Sequence, residues 1–382
     1  MIAAVFKVRR GTPLPRTSLP RTSLPGSLAH PMPQFLVDTP PPFNTPVAIA
    51  DDLLWVRVAI PYSLDHVNIY LLRDGDRWTA IDAGVDDART RQAWGEILAP
   101  LGGLRSLGRV ILTHFHADHA GAAGWLQNVS DAAILTSRGE WDALVGSAEP
   151  QPADKADRFE AHLLRMGCDP DEARMLRERS EPIDSKMGPL PEAPVMLDDE
   201  PAIAMAGTAW QVLSGPGGHS PAPLSLVSPG RDILLPGDQM LPGQSPFVGT
   251  RPEEPGETPL GDYLDYLALF DGHVGARTLV LPGHGLPFRG APDQLRETRA
   301  HHARRCASLV EACAGRPMTV RALLDALIPH TKLGMLPLRI ADLLSHVNLL
   351  RRTGELEPVD EGCVVTWHAT PVSARRFAEI AG

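Results

Sequence analysis

Residues Thr113–Gly121 read THFHADHAG, which sets His114, His116, Asp118 and His119 inside six consecutive positions. Imidazole nitrogens and a carboxylate oxygen are the donors that a borderline divalent ion such as zinc accepts. Before the cluster, Arg109–Thr113 is short, β-branched and largely apolar, and reads as a buried strand. After it, AGAAGWLQ (120–127) is rich in Ala and Gly and reads as the start of a helix. The donors therefore fall on a strand-to-helix loop, where α/β proteins keep reactive groups. One histidine among the 14 of this 382-residue chain would say little, since most are solvated or hydrogen-bonded in cores. Three beside an aspartate are costly to bury unpaired, and a shared cation removes that cost.

The pattern His-x-His-x-Asp-His resembles the signature of the metallo-β-lactamase-fold hydrolases. The resemblance implies three more ligands, each after a strand, and the chain has them in order: His219 in SGPGGHS, Asp238 in ILLPGDQM and His284 in TLVLPGHG. Each follows an apolar run (Trp210–Leu213, Ile233–Leu235, Leu279–Leu281) and is flanked by Gly or Pro, as at a strand's end. Carried over position by position, the resemblance assigns His114, His116 and His219 to one ion. Asp118, His119 and His284 go to a second, and Asp238 bridges them.

The same resemblance implies an α/β fold, an αββα sandwich of two mixed sheets back to back with helices outside. It implies two divalent ions, zinc first, with manganese and iron suited to the same donors. Such a pair lowers the pKa of a shared water to give a bridged hydroxide, and polarises a carbonyl or phosphoryl oxygen. Asp118 then has a catalytic role as well, orienting that hydroxide. No G-x-S-x-G elbow, P-loop or dinucleotide fingerprint points to another chemistry. Asp82 in TAIDAG has two readings here, a group that orients the ligands or a turn former at a strand's end. His66–Leu72 is similar to an early strand of the family, and neither His66 nor Asn68 is assigned a catalytic role.

Composition bounds the rest. At 43% apolar and 21% charged, the chain is long enough to bury a large core and more than one domain. No run of eighteen apolar residues occurs, so no membrane span is expected. Cys168, Cys306, Cys313 and Cys363 are scattered, and Cys306 and Cys313, about 10 Å apart along a helix, are too distant for a disulfide. That pattern implies a reduced, cytoplasmic protein.

Three segments fall outside the family core. Residues 1–40 contain the repeat LPRTSLPRTSLPGS (14–27) and no acid before Asp38, and read as a disordered Pro/Arg-rich tail or an extension upstream of Met32. The catalytic domain is expected over 41–290, with a helical insertion at about 125–205. Glu140–Val145, Ala153–Met166 and Pro170–Glu178 read as its helices, broken at Pro150, Pro152 and Pro182. Standing over the metal loops, they would shape a pocket. The stripe Leu163, Leu164, Met166 and Met175 reads as ordinary core rather than as lid lining. Residues 291–382 read as three helices (294–313, 320–327, 337–352) and a strand pair ending near Cys363–Trp367. That order resembles the winged-helix domain appended to the lactamase-beta-like, glyoxalase II-like branch of the superfamily. His301 and His302 lie on its first helix and are not read as ligands.

Charge separates the candidate functions. Residues 291–382 carry 12 Arg/Lys against 10 Asp/Glu, a net of +2, which leaves −12 of the total of −10 to the rest. A nuclease needs a cationic track, because phosphate contacts dominate its affinity. The expected function is thus metal-dependent hydrolysis of a small ester, thioester or amide. A single-strand endoribonuclease is the alternative, and a mononuclear-iron sulfur dioxygenase would use the same ligands. Flavin-linked diiron members carry glutamate where this chain has His116. The expected partner is a small molecule rather than nucleic acid or a membrane, with a homodimer open through the appended segment.

Overall fold

The computed structural model describes residues 33–179 and 186–371. The chain opens with β1 (Gln34–Phe35), β2 (Val47–Ala50), β3 (Leu53–Ala59), β4 (His66–Asp74) and β5 (Arg77–Ile81), then α1 (Ala88–Leu98) and β6 (Leu107–Ile111). Next come α2 (Ala117–Ala120), α3 (Ala123–Ser130), β7 (Ala133–Thr136), α4 (Arg138–Ala148), α5 (Lys155–Arg165) and α6 (Pro170–Arg179). The second half brings β8 (Val195–Met196), β9 (Ala202–Met205), β10 (Thr208–Ser214), β11 (Leu224–Ser228), β12 (Ile233–Gly237), α7 (Pro259–Leu269), β13 (Leu279–Pro282) and β14 (Phe288–Arg289). It closes with α8 (Ala291–Cys313), α9 (Val320–Leu327), α10 (Leu336–Arg352), β15 (Leu356–Glu361) and β16 (Val364–Ala369).

Two seven-stranded sheets form, in the orders β2-β3-β4-β5-β6-β7-β8 and β1-β14-β13-β12-β11-β10-β9. Both are mixed: β5 to β8 and the β12–β13 pair are parallel, the other ladders antiparallel. The strands alternate as a two-faced sheet requires. In β3 and β4, Leu53, Trp55, Tyr70 and Leu72 face the opposite sheet and meet Trp210, Leu226, Ile233, Leu235, Leu279 and Leu281. Their neighbours Val56, Val58, Ile69 and Leu71 turn outward onto Trp94 and Ile97 of α1 and Leu126 of α3. On the other outer face, Leu234 and Val280 pack under Tyr263, Tyr266 and Leu267 of α7. The result is the expected αββα sandwich. Each large side chain buried in it contributes about 1.5–3 kcal/mol.

One boundary differs from the sequence reading. Gln34 and Phe35, assigned to a disordered tail over 1–40, add an edge strand paired with Arg289 and Phe288, while the repeat and Met32 lie outside the described residues. An added strand covers open backbone at a sheet edge, which composition alone does not announce. Within the expected insertion at 125–205, β7 and β8 are strands of the first sheet and β9 belongs to the second, and α4, α5 and α6 lie between β7 and β8. Leu163 and Met166 are core, as read, but their partners are Leu309, Leu323, Ile340, Leu343 and Trp367 of the C-terminal segment. Met175 is exposed. The helices following residue 290 share one apolar cluster with α5 and α6, and α8 begins in the core of the second sheet through Ala291 and Leu295. No helix among the described residues is long and apolar enough to cross a membrane.

Candidate metal centre

Strand ends of both sheets meet at one edge of the sandwich. β6 delivers Thr113, His114 and His116, and β12 delivers Asp238. The loops after β10 and β13 deliver His219 and His284. Asp118 and His119 sit on α2, a single helical turn that starts before the expected helix. The structure brings all seven together. The donor atoms of His114, His116 and His219 lie within 4.8 Å of one another, as do those of Asp118, His119 and His284. Asp238 stands between the two sets. Its Oδ2 is 3.5 Å from the Nε2 atoms of His119 and His219, 3.4 Å from that of His284 and 3.9 Å from that of His114.

The far ends of the rings show what the centre is built for. His284 Nδ1–H donates to the His66 carbonyl (2.6 Å) and His219 Nδ1–H to the Phe247 carbonyl (2.7 Å). His119 Nδ1 donates to Asp82 Oδ2 (2.7 Å). The Thr113 hydroxyl donates to Asp82 (2.9 Å) and accepts from His114 Nδ1 (3.0 Å). With each Nδ1 engaged by an oxygen, all four rings turn Nε2 inward. The Nε2 atoms of His114 and His219 and Asp238 Oδ1 are buried without a hydrogen-bond partner. Three buried polar atoms left this way are costly. A cation that accepts their lone pairs fits them.

The metal-free electrostatics agree. Burial pushes the His114 and His116 imidazoles well below the usual range, with neighbouring imidazoles adding to the effect, so both are neutral donors. Burial also opposes charge on His284, yet Asp238 and Asp118 lift it to about 10. His119 is raised by Asp238, Asp82 and Asp118 against the same burial. Asp118 and Asp238 are held well below the usual carboxylate range, burial being outweighed by His119 and His284. Carboxylates that stabilise extra protons on two imidazoles stabilise metal cations equally, and metal binding then releases those protons. His114, His119 and His284 are buried, whereas His116 and His219, whose rings lie 4.6 Å apart, are partly exposed as residues.

Asp82 unites its two readings. It sits in the left-handed region (φ 66°) at the end of β5 and holds both Thr113 and His119. Asp82→Ala leaves the buried Thr113 N–H and His119 Nδ1–H without an acceptor, at about 1–3 kcal/mol each, and forces alanine into a backbone conformation that only Gly, Asn and Asp visit readily. We expect this variant to lose at least about 3 kcal/mol in urea unfolding and 10–100-fold in metal affinity. Asp82→Asn, which tolerates the turn, should recover part of the stability.

Two features are absent from the sequence reading. Glu140, buried at the start of α4, accepts from Phe115 N (2.9 Å) and Ala222 N (2.7 Å), tying the His114–His116 loop to the segment after His219. Its burial raises its pKa. The signal was Ser137-x-x-Glu140, which reads as a helix-capping box. Ser137 does accept from Glu140 N, but the Glu140 carboxylate reaches away to the two ligand loops. His66 and Asn68 lie behind the His284 loop. They clamp the His284 loop, Asn68 through the Pro282 and Gly285 carbonyls and His66 through Gly285 N.

Comparison with known proteins agrees with this architecture. The chain is 24% identical over 338 residues to a probable metallo-hydrolase of Bacillus subtilis, covering 82% of this chain and 97% of that one. A beta-lactamase domain protein from Burkholderia ambifaria superposes with a TM-score of 0.78 at 30% identity, over 88% of this chain and 98% of its own. A metallo-beta-lactamase family protein from Thermus thermophilus gives a TM-score of 0.67 at 26% identity, over 85% of this chain and 100% of its own. The sequence profile of the Metallo-beta-lactamase superfamily matches residues 62–285, more than half of the chain and every candidate ligand. With its two sheets and clustered strand-end donors, this chain belongs to the metallo-beta-lactamase superfamily.

Proposed function

We propose that the protein is a binuclear metallohydrolase acting on a small ester, thioester or amide. One observation carries this reading: four imidazoles anchored at Nδ1 converge on Asp238 with buried, unpaired acceptor atoms. In it, His114, His116 and His219 would hold one divalent ion and Asp118, His119 and His284 the other, with Asp238 available to both. Zinc is the first choice, and manganese or iron suits the same donors. When bound, such ions supply Lewis acidity and an acidified water at neutral pH.

The protein's own groups do the rest. Asp118, kept anionic by His119 and His284, accepts a hydrogen bond from the attacking water and orients it. Asp82, Thr113 and the His66 and Phe247 carbonyls hold the rings still, so little reorganisation accompanies reaction. The Phe115 ring, centred 4.8 Å from that of His116, forms an apolar wall beside it. The acidic balance of the catalytic region favours a small substrate over a polyanion. In order of elements, α8, α9, α10 and the β15–β16 hairpin resemble a winged helix. We assign that segment a structural role at the centre and, as a further proposal, a surface for a homodimer.

Elemental analysis of the purified protein, with assays on S-lactoylglutathione, a generic ester and a single-stranded RNA, tests this reading. Two ions per chain are expected, with ester or thioester turnover lost to a chelator and restored by metal. RNA cleavage that disappears with the ligands would replace it with the ribonuclease.

A further inference from the structure

The loop leaving Asp238 runs from residue 239 to 258 outside both sheets, and at Phe247 it supplies the carbonyl that orients His219. Helices α8 and α10 hold it along its length. Gly243 N donates to Gln294 Oε1 (3.0 Å) and Thr250 N to the Ala341 carbonyl (3.0 Å). The Ser345 hydroxyl reaches the Val248 carbonyl (2.9 Å) as well as the Asp342 carbonyl of its own helix (2.8 Å), and Asn348 Nδ2 donates to the carbonyls of Pro255 (2.9 Å) and Glu257 (2.7 Å).

The tie at Ser245 ends a buried chain of hydrogen bonds. His346 Nδ1 donates to the Asp342 carbonyl (2.8 Å), so its Nε2 accepts, and it takes the proton of His302 Nδ1 (3.0 Å). That leaves His302 Nε2 free to accept from the Ser245 hydroxyl (3.0 Å), which also reaches the Pro246 carbonyl (3.2 Å). Burial pushes both imidazoles down to about 3, so both are neutral and each has one tautomer. Ser245 and Val248 bracket Phe247. The position of its carbonyl is thus set from outside the sandwich.

We infer that α8 and α10 position the metal ligand His219 by fixing the Phe247 carbonyl through Ser245 and Val248. This rests on the metal-centre reading above. Ser345 and His302 are then positioning residues that touch neither ion nor substrate. An acceptor behind a ligating imidazole sets its orientation and basicity, and losing such a partner typically costs 10–100-fold in metal affinity.

The test uses the full chain loaded with cobalt(II), read by visible absorption and by competition against a chelator. Ser345→Ala should weaken the ion held by His114, His116 and His219 by about tenfold or more and shift its absorption band. Ser245→Ala should act in the same direction. Leu323→Ala, in the C-terminal apolar cluster, serves as the control for general loosening. It should lower the unfolding midpoint and leave the band and the affinity where they are. Ser345→Ala and Ser245→Ala chains that bind cobalt like the unaltered protein overturn the positioning role and leave the metal centre standing. An unaltered chain that binds no cobalt overturns the metal centre and this inference with it.

Discussion

Asp238→Ala is expected to lower ester or thioester turnover by more than the 10–100-fold typical of losing a partner behind a ligand, and to leave neither ion at full occupancy. The carboxylate lies within 3.9 Å of four imidazoles drawn from both donor sets, so both lose an anion at once. His116→Ala is the informative contrast. It removes one donor from one set, so the second ion should persist in elemental analysis while turnover is still abolished. Neither change should unfold the chain. Without Asp238, the charge that helps lift His284 to about 10 is gone, and the imidazoles shed protons rather than repel one another as cations. Circular dichroism checks the fold, metal content the loading and kcat/KM the function. Full activity in His116→Ala would remove that residue from the ligand set.

The sandwich and the seven donors were legible because of how buried strands are written. Ile233–Leu235 and Leu279–Leu281 are continuous apolar runs, each succeeded within three residues by a polar group and a glycine. A run of that kind can only be a core element, and the residues just past its end can only lie at the sheet's edge. Of the groups that hold the donors, Asp82 was legible at its strand end, and the others were not, for a physical reason in each case. The oxygen that orients His219 belongs to the backbone of Phe247, and every residue has a carbonyl. Glu140 looks like a helix cap because Ser137 does cap that helix, and nothing local says that its carboxylate turns elsewhere. The stripe of Leu163 and Met166 announces that a face is buried without naming its partner, here α8, α9 and α10. For the same reason, one continuous set of contacts spans residue 291. An amphipathic helix of 23 residues, about 35 Å long, can serve two cores, and α8 does so.

Gly283→Ala should disable the centre without altering any donor. An added Cβ at this position would lie 2.2 Å from Asp238 Oδ1 and 2.8 Å from His119 Cε1, closer than real contacts permit. The backbone cannot retreat. Gly283 N donates to the Gly237 carbonyl (2.9 Å), and the Gly283 carbonyl accepts from Asn68 N (2.8 Å), so the residue is fixed between the two sheets. The displacement therefore falls on Asp238 and His119. His119 is in turn held by Asp82, and Asp238 is packed among imidazoles. Overpacking of this kind costs about 1–3 kcal/mol of stability, which a chain of this size survives. Displacing two donors should still reduce metal affinity and turnover toward the Asp238→Ala level. Because Gly283 touches no ion, a variant that binds metal as tightly as the unaltered chain would mean that the centre tolerates a shift of its shared carboxylate. In that event the rigidity of the donor shell contributes little to activity, and the anchoring of each Nδ1 serves folding alone.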